Sequence, residues 1–283
     1  VWTVNILAQM EQMQMWQYAN QACDHQWNLA DDMEHEAGFI GRVTPDFYLC
    51  PSAEKMTIGI DTWHHDYFTT KGNYAGCWGT VLPKGEKYPD GTTEADGPYV
   101  NLYVNSPPDT SKYMTPKKWS GVFGIVMVAG WEKVVQQEQH STIRGQFKMG
   151  LGQGTKKVEI RDGLSNTLMI SEVLAYDSRV DARGGWVLNA PGSTNFMALY
   201  GPNSEVNDQI PMCETNIPES DPLHCVENKT DGNIWASARS QHLNGVNVAY
   251  ADSSVKFISD TISLPVWRAL GTRYGQEVAT APQ

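Results

Sequence analysis

The chain of 283 residues has no C-x-x-C pair, no G-x-S-x-G, and neither G-x-x-x-x-G-K-[ST] nor G-x-G-x-x-G. The missing thiol pairs exclude zinc ribbons and thioredoxin-type redox centres. The missing serine motif excludes a nucleophile elbow, and GLSN at 163–166 does not replace it. Without the glycine patterns the common phosphate cradles are absent, so KMGLGQGTKK reads as a bent loop or strand bulge. MEHEAGF begins like a zinc helix at His35-Glu36, but Phe39 stands where H-E-x-x-H needs its second histidine. Positive charge is scarce: 21 Lys+Arg face 32 Asp+Glu, a net charge of −11. Such a surface repels phosphate backbones and anionic lipid, which argues against nucleic acid and membrane surfaces as partners. Long apolar runs are lacking too. The longest, GVFGIVMVAGW (121–131), is too short to span a bilayer, and no basic-then-apolar leader opens the chain at Val1.

What is present fits a folded, non-enzymatic protein. Apolar residues make up 41% and charged residues 19%, an ordinary globular balance that a single domain over 1–283 would satisfy. Ten tryptophans are many for this length. Trp63, Trp78 and Trp119 are candidates for a glycan-stacking face, although burial is the commoner fate of an indole. Cys213 and Cys225 flank the Pro-rich loop CETNIPESDPLHC, which a disulfide would stabilise by ~3 kcal/mol. Cys50 and Cys77 are further disulfide candidates, and the odd count of five leaves a thiol over. This usage points to an oxidising, exported setting.

Residues 5–23 carry Ile6, Met10, Met13, Trp16 and Cys23 at three- and four-residue steps, which predicts one amphipathic helix. Turn formers dominate from about 80 to 120, a long surface excursion. Alternating or apolar runs at 121–128, 143–149, 157–160, 167–174, 245–250 and 254–258 suggest strands. The expected class is α+β, an N-terminal helix packed on a mostly antiparallel sheet with long loops.

Residues with ligand or catalytic chemistry each have a plainer reading. DTWHHDY puts His64, His65 and Asp66 side by side, but adjacent side chains point apart in regular structure, so a loop or strand edge explains them better than one metal site. A hydrolase built on His64 or His65 is the weakest reading. DGTTEADG (90–97) would suit calcium, without EF-hand spacing. His242 precedes GVNVAY, and Asp252-Ser253 follow it. A strand rising ~3.3 Å per residue separates that His from that Asp, so they are no dyad. A two-residue turn at Asp252-Ser253 would pair Tyr250 with Val255 and Val248 with Phe257, placing Val246, Val248, Tyr250, Val255 and Phe257 on one face. A three-residue bulged turn is the alternative, because Ser at positive φ costs on the order of 1 kcal/mol.

The same stretch resembles a named pattern. His242, nine residues, then Asp252-Ser253 resembles the signature of the prepilin-type H-x(9)-D-G family of planctomycete-type bacteria. VWTVNILAQMEQ, FYLCPSAEK, NYAGCWGT, IRDGLSNTLMISEV (with Asp162, Gly163, Ser165, Asn166 and Glu172) and LPVWRALGTRYGQEV are similar to further family blocks, in order, from Val1 to about Val278. Ser253 stands for the family Gly, Leu164 for Thr and Ala8 for Pro. Family members begin with a pilin-like leader, a long apolar helix and a Cys-bearing basic segment, so the resemblance implies that this chain is the globular head without its anchor. It further implies an exported pseudopilin-like protein, a subunit of a pilus-like fibre or surface assembly that self-associates and reaches a membrane only through the missing helix. It brings no catalytic residues and no cofactor. Some classifications place the family beside solute-binding proteins, which prompts a second reading as a surface solute- or glycan-binding module.

Overall fold

The computed structural model describes residues 2–25, 38–62, 67–80, 119–123, 155–188, 190–228 and 234–275. Alternation builds the centre. In β8 (Gly245–Tyr250) every second side chain is buried, with Val246, Val248 and Tyr250 on the core side. β8 lies between β4 (Leu168–Glu172) and β9 (Val255–Ser259); β4 pairs with β3 (Tyr74–Cys77), and β3 with β5 (Asn195–Phe196). The strand order is β5-β3-β4-β8-β9, antiparallel throughout except for the parallel β3–β5 pair. Two small sheets join β1 (Ile60–Thr62) to β2 (Tyr67–Thr69) and, in parallel, β6 (Asp208–Ile210) to β7 (Cys225–Glu227). The class is α+β, as expected.

One face of the large sheet presents Ala75, Cys77, Leu168, Phe196, Val246, Val248 and Tyr250 to Trp267 and Leu270. The last two belong to the C-terminal helix, Leu264–Leu270, whose Pro265 sits in the first turn, where its missing N–H costs nothing. Burying a large apolar side chain contributes roughly 1.5–3 kcal/mol, so Trp267 alone ties this short helix to the sheet. On the other face of β3, Gly76 leaves room for aromatic rings. A Cβ there would lie 2.5 Å from the Phe123 ring and 3.1 Å from Trp2 Nε1.

The expected helix over 5–23 is instead two, α1 (Trp2–Asn5) and α2 (Met13–His25). The chain turns between them, with Glu11 at φ 60°. That left-handed residue ends the periodicity, so Met10 and Met13 are exposed rather than packed. Val4, Leu7, Ala19, Ile40, Tyr48 and Trp186 form a separate cluster that includes α3 (Gly38–Gly41). The run at 157–160 is also not a strand: Lys157–Glu159 is a 3-10 turn. The excursion beyond Thr80 lies outside the described residues as far as 118, but its ends meet, with Thr80 N–H donating to the Trp119 carbonyl at 3.0 Å. The run at 121–128 opens in a turn at 122–123 rather than a strand, and its remainder lies outside, as does 143–149. Among the described residues no helix is long and apolar enough to cross a membrane.

Candidate functional site

The β8–β9 hairpin separates the two halves of the His/Asp motif. Its register pairs Ala249 with Val255, Val248 with Lys256 and Asn247 with Phe257, so the loop has three residues, 251–253. The two-residue pairing is thereby corrected to the bulged alternative, and the cause is local. Asp252 Oδ1 accepts from Ser254 N–H (2.9 Å) and Ser254 Oγ–H (2.6 Å), Tyr250 N–H reaches the Ser254 carbonyl, and Ser253 takes φ 72°. The Ser254 hydrogen bonds hold the Asp252 carboxyl below its usual pKa. A slip of one residue inverts a strand. Val255 and Phe257 are therefore 68% and 51% exposed, while Ile258 opposite Val246 packs against the core.

Around the hairpin tip, the other motif residues close backbone turns. Gly163 has φ 94°; Asn166 Nδ2 donates to the Asp162 carbonyl, and Asp252 N–H donates to Leu164 O. Asp162 Oδ2 accepts from Thr272 Oγ1–H and from Gly275 N–H, joining this turn to the end of the C-terminal helix. Ser165 is exposed.

At the opposite end of β8, three residues that the sequence keeps far apart come together. His242 Nε2 lies 3.0 Å from Glu172 Oε1; Cys50 Sγ lies 3.4 Å from the same oxygen and 3.7 Å from the same nitrogen. Each is held independently. Glu172 ends β4 with its side chain 3% exposed, and its Oε2 accepts Asn247 N–H at 2.7 Å. Cys50 follows the 3-10 turn Asp46–Tyr48, its N–H donating to Asn73 Oδ1 at 3.1 Å. His242 N–H donates to Ser240 Oγ, and its ring stands nearly perpendicular to that of Phe257, with centroids 6.4 Å apart. Neighbouring Gln241 Oε1 accepts from Glu54 N–H, fastening the two loops together. Burial first, then Cys50 and Glu172, pushes the Tyr74 hydroxyl up to about 12, so it stays neutral. The cavity beside these groups has a volume of ≈ 10 Å³, room for about one water.

The geometry decides what this group can do. A thiol–imidazole–carboxylate relay uses both ring nitrogens, one for the nucleophile and one for the acid. Here Nε2 alone faces both, so the arrangement is no such triad. It is a convergence of one sulfur, one nitrogen and one oxygen, all within 4.8 Å of one another.

A second grouping has similar composition and a different state. Cys213 and Cys225 form a disulfide, with Cα atoms 6.0 Å apart, as expected from the loop that they flank. Beside it the Asp181 carboxylate is gripped by Arg183, with Nε–Oδ1 at 2.9 Å and Nη2–Oδ2 at 2.7 Å.

Other expectations are corrected. Cys50 and Cys77 do not pair: Cys77 is buried in the sheet core with Sγ 3.5 Å from the Gly271 carbonyl, while Cys50 stands at the junction. Trp78 and Trp119 are each 4% exposed and pack with Met197, Leu199 and Trp235, so neither offers a stacking face. Trp63, His64, His65, Asp66 and the acid-rich 90–97 turn lie outside the described residues. The Cys50–Glu172–His242 junction escapes a reading of the sequence. Its one signal is that each residue stands in a separate motif block, FYLCPS, SNTLMISE and the His-to-Asp segment.

Comparison with curated proteins and with solved structures finds no match. A family model, SBP_bac_10, described as a protein of unknown function (DUF1559), matches residues 1–264, and the chain belongs to that family.

Proposed function

We propose that this chain is a non-enzymatic structural protein of the cell exterior, a subunit of a pilus-like fibre or surface assembly that associates with copies of itself. The observation that carries this reading is the free rim of the large sheet. β9 is its terminal strand, nothing among the described residues pairs with its outer edge, and Val255, Phe257 and nearby Leu243 (83% exposed) stand in solvent. An edge strand with apolar side chains is a template for pairing with another chain.

Two further features support it. The Cys213–Cys225 disulfide suits an oxidising compartment. Asp162, Gly163, Asn166 and Asp252, which carry the prepilin-type resemblance, serve backbone turns. The competing solute- or glycan-binding reading is weaker. The cavity beside Cys50 admits one water-sized group, and Trp78 and Trp119 are buried.

Electron microscopy of native material and sedimentation across a concentration series test the proposal. Fibres or concentration-dependent oligomers are expected, with contacts of about 1,000 Å² or more. Phe257→Lys should weaken them while the circular dichroism stays native. A monodisperse monomer at high concentration with the native N-terminus, and native material free of fibres, would reject it.

A further inference from the structure

We propose that Cys50, Glu172 and His242 bind one divalent transition metal ion, zinc being the best fit by ligand type, with a water in the fourth position. The donor set is one thiolate, one imidazole and one carboxylate, a mixture that suits zinc and leaves magnesium and calcium, which want oxygen alone, poorly served.

The distances carry the argument. Tetrahedral zinc with a bond of about 2.3 Å to sulfur and bonds of about 2.0 Å to nitrogen and oxygen would hold S about 3.5 Å from both N and O, and N and O about 3.3 Å apart. The three separations in the protein are 3.7, 3.4 and 3.0 Å. All three donors thus stand near the corners that an ion requires, and the backbones supplying them have little adjustment to make.

The surroundings agree. Glu172 offers Oε1 to the centre while Oε2 is engaged by Asn247 N–H, an outer contact of the kind that fixes a one-oxygen ligand. The buried Glu172 carboxylate has no guanidinium or ammonium partner among the described ion pairs, only His242. Besides the Asn247 Nδ2 amide, which donates to it at 3.4 Å, two protons now point at Oε1, from Cys50 Sγ and, in one tautomer, His242 Nε2. A cation would take their place: the thiol proton leaves to solvent, the imidazole binds through Nε2 in its neutral form, and carboxylate, thiolate and ion are mutually compensated. The ≈ 10 Å³ cavity supplies space for the single solvent ligand. The ion would clamp three segments: the loop after Tyr48, the end of β4 and the loop entering β8.

The test uses the full chain, with its disulfide intact and Cys50 reduced, titrated with zinc chloride and, as a spectroscopic probe, cobalt chloride. One equivalent should bind, giving a thiolate-to-cobalt charge-transfer band, tetrahedral visible bands and a raised Tm. Cys50→Ser should abolish the charge-transfer band and weaken binding about a hundredfold or more, and Glu172→Gln should weaken it strongly, while Cys77→Ser binds like the parent. Circular dichroism of each variant separates lost ligation from lost fold, and Cys50→Ser is small enough to keep the packing. The proposal is overturned if the folded, reduced chain takes up no stoichiometric metal, if the charge-transfer band survives Cys50→Ser, or if native material holds Cys50 in a disulfide. Each outcome is independent of whether the protein forms fibres.

Discussion

Among the described residues, the two places where cysteine sulfur meets a buried carboxylate differ in what neutralises the charge. At the Asp181 site the sulfurs of Cys213 and Cys225 are bonded to each other, and both carboxylate oxygens are engaged by Arg183, whose Nη1 also donates to the Leu223 carbonyl. Burial works against the Arg183 charge, but Asp181 outweighs it and holds the guanidinium above its usual pKa. Nothing is left there for an ion to do. At the Glu172 site the sulfur is a free thiol, and the carboxylate faces an imidazole and amide N–H groups instead of a guanidinium. Residue types alone do not make a metal site. Whether the negative charge already has a permanent partner decides.

The largest expected effect breaks the first site. Arg183→Met leaves Asp181 buried and unpaired, at a cost of about 3–5 kcal/mol in urea unfolding, enough to threaten folding altogether. Replacing Cys213 and Cys225 together by serine costs ~3 kcal/mol by the same measurement, since the loop they close spans 12 positions. Because Arg183 still occupies Asp181, metal uptake by reduced protein should stay at one equivalent, counted by elemental analysis.

Two free thiols among the described residues, Cys50 and Cys77, sharpen the contrast. Burial pushes Cys77 up to about 12, whereas Cys50 is half-buried at the rim of a cavity. Alkylation mapped by mass spectrometry at mildly alkaline pH should label Cys50 about a hundredfold faster than Cys77, and zinc should protect Cys50. The raised pKa of Cys77 also enters stability: its contribution is complete below its ordinary value of 9.0 and is lost as pH rises through about 12. Tyr74 behaves alike, from 10.0 to about 12. Lys71 opposes them. Burial lowers it from 10.5 to about 8, so its penalty disappears across that interval. Urea midpoints should therefore rise slightly between about pH 8 and 9, hold to about pH 10 and fall above it. The smallest effect lies away from both sites. Ser253→Gly relieves the left-handed backbone at φ 72° and should stabilise the hairpin by roughly 0.5–1 kcal/mol, read from the same unfolding curves.

Several features were legible without coordinates because they depend on near neighbours in the chain. The alternation of GVNVAY determined which side of β8 is buried. The cysteines flanking a proline-rich loop determined a disulfide. The length of the hairpin turn lay at the edge of legibility, because Asp252 and Ser253 admit two loops that differ by one residue. Only the hydrogen bonds to Ser254 select between them, and with that choice Phe257 moves from core to surface. The helix over 5–23 misled for a related reason: periodicity reports a favourable stripe but not a left-handed residue at Glu11 that interrupts it.

What the sequence by itself determined, then, is the α+β class, the core side of its clearest strand and the staple at Cys213–Cys225, all consequences of local pattern and short loops. What only the tertiary structure decided is that Cys50, Glu172 and His242, separated by as many as 192 positions, share one corner. Pleated strands place the ends of β4 and the entry to β8 side by side, and no short-range propensity encodes which distant loop is laid across them.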